Sequence, residues 1–96
     1  MIRHIVMFSA KDHDDLEEIY NGLKILEKIQ GNWTLEVKKN IKKDQIDNNI
    51  DIVVYGEFPD QETLETYKAT PIYQEAVSIV RPLRELRIAA DIIVKD

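Results

Sequence analysis

Ile2-Arg3-His4-Ile5-Val6-Met7-Phe8 opens the chain, and its pattern decides how the rest must be arranged. In an extended strand alternate side chains share a face. Ile2, His4, Val6 and Phe8 then point one way, and Ile5 and Met7 the other. Both faces are mostly apolar, so both need cover. One face can be covered by the chain's own helices. The other needs something more.

The following segments supply the helices and strands. Residues 13–29 carry Leu16, Ile19, Tyr20, Leu23, Leu26 and Ile29 at helical spacing, an amphipathic stripe with Asp12 as its N-cap and Gly31 as its C-terminal stop. Residues 33–40 alternate, with Trp33, Leu35 and Val37 on one face. Residues 41–49 are polar, and Asn48-Asn49 signals a turn. Residues 50–58 (Ile-Asp-Ile-Val-Val-Tyr-Gly-Glu-Phe) form the strongest strand. Asp60 is placed to cap a helix reaching Lys68, with Leu64 and Tyr67 inward. Thr70-Pro71 ends it, because a residue before proline is pushed out of the helical region. A second short helix over about 72–80 precedes a last strand over 86–94.

The order is β-α-β-β-α-β with one extra helical piece. It predicts a single α+β domain over residues 1–96, ferredoxin-like, with helices on one face of an antiparallel sheet. The second apolar face of the first and third strands then predicts self-association, sheet face to sheet face, as a homodimer.

Composition bounds the function. Ninety-six residues leave room for one core. The net charge of −5 argues against nucleic acid as a partner, since phosphate contacts need clustered Lys and Arg. The one basic cluster, Lys38, Lys39, Lys42 and Lys43, is followed by Asp44 and Asp47. Cysteine is absent, which removes thiolate chemistry and Cys-based metal sites. No apolar run approaches the ~20 residues of a membrane span, and the opening segment is too short for a signal peptide. A cytoplasmic protein with no membrane partner is expected. The two histidines sit on different elements, the acidic residues 12, 14 and 15 lack a calcium-loop pattern, and the glycines are too scattered to cradle a phosphate. No metal or cofactor is expected.

Several stretches together resemble the stress-responsive dimeric α/β-barrel (Dabb) domains: residues 2–8 their opening strand, Ile-Gln-Gly-Asn-Trp-Thr-Leu-Glu-Val at 29–37 their passage into strand two, and residues 51–58 their third strand. Residues 67–74 resemble the family's Tyr-x-x-His-Pro-x-His segment, and residues 79–83 the stretch after it. The resemblance implies two ferredoxin-like subunits whose sheets close a barrel around small cavities. It also implies distant similarity to a plant member, olivetolic acid cyclase, which closes a polyketide ring by aldol condensation. That enzyme's catalytic tyrosine falls on Tyr67, its first-strand histidine on His4 and its last-strand aspartate on Asp91. Its general-base histidine falls on Tyr73, and a tyrosine, with an ordinary pKa of about 10, is a poor base near neutral pH.

The catalytic candidates are therefore His4, Tyr67, Tyr73 and Asp91. His4 would be the base, Asp91 would hold its tautomer across adjoining strands, and a tyrosine would donate to an oxyanion. Val6, Phe8, Val54, Tyr67 and Tyr73 would line a ligand cavity in the barrel, taking a small apolar or aromatic organic molecule. A dimer without chemistry is the competing expectation, as is a core histidine merely satisfied by Asp91. Haem or oxygenase chemistry, known in related dimeric barrels, lacks a histidine on the second helical region to act as axial ligand. Trp33 is expected to pack, and His13 to face solvent.

Overall fold

The computed structural model of the chain describes residues 1–95. Its elements run β1 (Ile2–Ala10), α1 (Leu16–Lys24), β2 (Thr34–Lys39), β3 (Ile52–Phe58), α2 (Gln61–Lys68), α3 (Pro71–Val80) and β4 (Arg84–Ile93). Every sheet pairing is antiparallel and the strand order is β2-β3-β1-β4. This is the ferredoxin-like arrangement, with the helices on one side. Among the described residues, no helix is long and apolar enough to cross a membrane.

The first helical stretch is more broken than its periodicity predicts. Its α-helical part covers only Leu16–Lys24, with 3-10 turns at His13–Asp15 and Ile25–Lys28. Asp12 caps the leading turn by accepting from the Asp14 N–H at 3.0 Å. At the other end Ile29 is already extended, and no glycine has a positive φ. Gly31 is therefore not the left-handed stop expected of it. What the position needs is space: a Cβ there would lie 2.1 Å from the Trp33 ring.

The core fills the space between helices and sheet. Ile19, Leu23 and Leu26 from the first helical stretch, Val6 and Phe8 from β1, Ile52, Val54 and Phe58 from β3, and Leu64, Tyr67, Ala76 and Val80 from α2 and α3 are all buried. The buried polar groups are satisfied by pinning connections. Asp51 accepts from the Ala10 N–H at 2.9 Å and from Lys42, fixing the long β2–β3 loop to the end of β1. Ser9 Oγ accepts from the Leu86 N–H beside the irregularity where β1 meets β4. Glu27 reaches the outer edge of the sheet, where it accepts from the Val37 N–H at 2.8 Å and from Lys24. Burial pushes its carboxyl up, but these bonds and the Lys24 charge outweigh that and leave it below the usual range.

The opposite face of the sheet has no cover from the described residues. Cross-strand partners share a face, so Ile5 and Met7 lie beside Val53 and Tyr55 on one flank and beside Ile88 and Ala90 on the other. Met7, Ile88 and Ile92 are 37%, 53% and 47% exposed.

Candidate functional site

Cavity and aromatic wall

A cavity of about 280 Å³ lies between the helix-facing side of the sheet and the helices. Its walls are apolar: Val6 and Phe8 from β1, Val54 from β3, Leu23 and Leu26 from the first helical stretch, and Ala76, Val77 and Val80 from α3. His4, Tyr67 and Tyr73 supply polar groups. Val6, Phe8, Val54, Tyr67 and Tyr73 are all among its lining residues. Its location differs from the expectation, however. It lies within the single chain, under the helices on the covered side of the sheet. The reason is the side on which His4 falls: β1 turns Ile2, His4, Val6 and Phe8 toward the helices.

Register explains the composition of the back wall. His4 is the cross-strand partner of Gly56 on one side and of Asp91 on the other. Gly56 leaves room for the Phe58 ring, which a Cβ would meet at 2.7 Å. Phe58 packs edge-on to His4, centroids 6.0 Å apart, and lies 5.2 Å from Tyr67. Trp33 backs both Phe58 and Tyr67 at 5.6 and 5.7 Å. It packs in the aromatic wall and does not line the cavity.

The two tyrosines come from consecutive helices joined at Thr70. Asp60 caps α2 through the Thr63 N–H at 2.8 Å. Thr70 is extended, as its following proline requires, and Pro71 occupies the first turn of α3, where its missing N–H costs nothing. The Thr70 hydroxyl donates to the Tyr67 carbonyl at 2.9 Å and accepts from the Tyr73 N–H at 3.2 Å. One hydroxyl thereby sets the spacing of both aromatic side chains, whose rings meet at 5.2 Å and 74°.

Polar groups and their protons

His4 is 2% exposed, and its Nδ1 lies 2.5 Å from Asp91 Oδ1. A carboxylate only accepts, so Nδ1 carries a proton, and in the neutral ring that leaves the lone pair on Nε2. Among the described residues Nε2 has no hydrogen-bond partner, yet it is not sealed from solvent-sized space. It therefore opens on the cavity His4 lines. Asp91 stands behind the imidazole, 39% exposed on β4, and does not line the cavity. Its action on a ligand would pass through His4, as a positioning residue.

Tyr67 is 1% exposed, and its hydroxyl likewise has no partner among the described residues without being sealed off. Burial pushes the phenol well above its ordinary pKa, since a buried charge is disfavoured. The neighbouring Tyr73 adds to the rise, and the Arg87 charge opposes it. The group stays protonated and is a hydrogen-bond donor. The arrangement thus offers an oriented imidazole whose Nε2 has no protein partner among the described residues, 6.3 Å by ring centroid from a buried phenol donor. His13 is exposed on its turn, apart from the site.

Arg81, Arg84, Arg87 and Gln74 also line the cavity, and the sequence reading did not single them out. A signal was available: three of the four arginines of an acidic chain are spaced three apart near its C-terminal end.

Relation to known proteins

The family model of the stress responsive A/B barrel domain matches residues 2–94. A search of curated proteins finds no match. Among solved structures, a Dabb family protein with a ferredoxin-like fold from Mesorhizobium loti is 27% identical, covering 99% of this chain and 97% of its own, with a TM-score of 0.76. A dimeric ferredoxin-like protein of unknown function from Jannaschia sp. CCS1 is 18% identical, covering 97% and 98%, with a TM-score of 0.82. A proposed antibiotic biosynthesis monooxygenase from Nitrosomonas europaea is 17% identical, covering 98% of each chain, with a TM-score of 0.76. The last two share the fold.

Proposed function

This chain belongs to the stress-responsive A/B barrel (Dabb) family, and from that premise we propose that it is a homodimer whose protomers each bind a small apolar or aromatic organic ligand. The observation that carries the ligand is a pair of polar atoms on buried residues, Tyr67 hydroxyl and His4 Nε2, which have no protein partner among the described residues and stay accessible beside the cavity that both residues line. A ligand with a hydrogen-bonding group, such as a carbonyl, can pair with both in place of water. The uncovered apolar sheet face supports the dimer, and so does the dimeric state of the Jannaschia protein.

Acetophenone, which joins an aromatic ring to a carbonyl, is a suitable probe. Titrated into 15N-labelled protein, it should shift the amide signals of Val6, Phe8, Val54, Tyr67 and Tyr73. Tyr67→Phe removes one hydrogen bond, about 1 kcal/mol, and should weaken binding about fivefold. Shifts spread over the uncovered sheet face, with Tyr67→Phe binding like wild type, would sink the reading.

A second reading adds proton transfer. The Asp91–His4 bond favours it, because that bond presents Nε2 as the basic nitrogen. In this reading His4 takes a proton from carbon next to a carbonyl, and Tyr67 steadies the resulting enolate oxygen. It predicts that the protein speeds deuterium exchange into the acetophenone methyl group in heavy water and that His4→Gln abolishes this. An undiminished rate in His4→Gln, or no acceleration by the wild-type protein, leaves ligand binding as the function.

A further inference from the structure

The cavity has a chemically one-sided rim. Arg81 follows the last turn of α3, while Arg84 and Arg87 lie on β4, and all three line the opening alongside Gln74. Among the described residues no carboxylate lines the cavity. Among the described residues none of these guanidinium groups makes an ion pair or a side-chain hydrogen bond. In a chain of net charge −5, three unpaired arginines around one hole are a local reversal of sign. Asp91 on β4 is bonded to His4, and Glu85, between Arg84 and Arg87 in the strand, does not line the cavity.

We propose that this rim recognises an anion, so that the ligand is an organic molecule with an apolar body and a single carboxylate or phosphate. The apolar body lies against Val6, Phe8, Val54 and Val80, and the anionic oxygens meet the guanidinium forks at the mouth. Planar guanidinium matches the paired oxygens of either anion. Low-dielectric walls concentrate the field of the three charges on the opening. The Arg87 charge also acts on the Tyr67 phenol, opposing the rise that burial and Tyr73 cause. The inference rests on the ligand-binding reading above and adds the charge class of the ligand.

The test is calorimetric, with octanoate, octyl phosphate and 1-octanol titrated separately into the whole protein. These share an eight-carbon body and differ in the head group. At low salt the anions should bind at least about tenfold more tightly than the alcohol, as expected for hydrogen bonds to charged groups. The advantage should shrink as sodium chloride is raised. The preferred anion identifies carboxylate or phosphate as the natural head group. The double variant Arg84→Gln with Arg87→Gln should bring the anions to the affinity of octanol and leave octanol unchanged. Arg84 is half-buried and Arg87 exposed, so neither change opens the core, and the unchanged octanol binding itself shows an intact cavity. If octanol binds wild type as tightly as the anions, or the anion advantage survives in the double variant, the inference is overturned while the ligand-binding reading stands. If none of the three binds wild type, both fall.

Discussion

Val6 and Met7 are adjacent on one strand, yet Val6 is 3% exposed and Met7 37%. The two faces of the sheet begin with similar side chains and are finished differently. The helix-facing side is completed by the chain itself, down to the capped ends of α2 and α3, and encloses a cavity with oriented polar groups. The other side presents Ile5, Met7, Val53, Ile88 and Ile92 with no cover of its own. Apolar character alone therefore does not tell which face houses a site. What distinguishes the helix-facing side is the histidine set into it, with Gly56 and Asp91 as its cross-strand neighbours. The other face carries Arg3, Tyr55 and Glu57 among its apolar residues but no imidazole–carboxylate pair, and is suited to a second copy of the same surface.

This contrast can be broken first from the covered side. Phe58 is fully buried under the helices, so Phe58→Ala should cost about 3–5 kcal/mol in urea denaturation. A smaller loss would mean that the aromatic wall is loosely packed. On the uncovered side, Ile88→Asp should leave folding intact, as judged by circular dichroism, and weaken the dimer by about 2–3 kcal/mol over its two copies. Sedimentation equilibrium should then show a Kd raised about 30- to 150-fold. Unfolding in place of dissociation would show that this face belongs to the monomer's own core.

The third test concerns how the covered side is held in place. Burial pushes the Asp51 carboxyl up, but the bonds from Lys42 and the Ala10 N–H, with the Lys42 and His13 charges, outweigh it and bring it below the usual range. A folded value below the unfolded one gives stabilisation that is full above the unfolded pKa, about 3.9. It is lost as the pH falls through the folded value. Asp51→Asn should therefore destabilise by about 1.5 kcal/mol near neutral pH, with the gap to wild type closing in acid below that unfolded value. A pH-independent gap would show that geometry, not charge, fixes the loop. The smallest expected effect is at the joint between the tyrosine helices. Thr70→Ala should cost about 1 kcal/mol and broaden the NMR signals of both the Tyr67 and Tyr73 rings. Broadening of one ring alone would mean that the hydroxyl serves only one helix.

The order of elements and the breaks at Asp60 and Thr70-Pro71 were legible because each depends on local rules, whereas Asp91 as the partner of His4 came from the family resemblance and needed the first and last strands to adjoin. Alternation fixes faces, proline forbids helix before it, and the first and last strands of this topology adjoin. The side on which the cavity would lie was not legible. Both faces of β1 are apolar, and alternation says which residues share a face without saying which face the helices will choose. The arginine rim was hidden for a different reason. Arg81 belongs to the end of a helix and the other two to a strand, so no single periodicity gathers them. Gly31 misled because a glycine after a helical stripe usually signals a left-handed stop, whereas here it yields space to Trp33.

The His4–Asp91 bond also has a consequence for assembly. The two residues meet because they are direct partners across β1 and β4. Sliding β4 by one residue would carry Asp91 to the opposite face of the sheet. His4 would then be buried opposite Ala90 or Ile92, its Nδ1–H unpaired, at a cost of about 1–3 kcal/mol. The polar pair thus acts as a register pin, penalising misaligned strands in a sheet whose apolar residues on both faces would otherwise tolerate the slip.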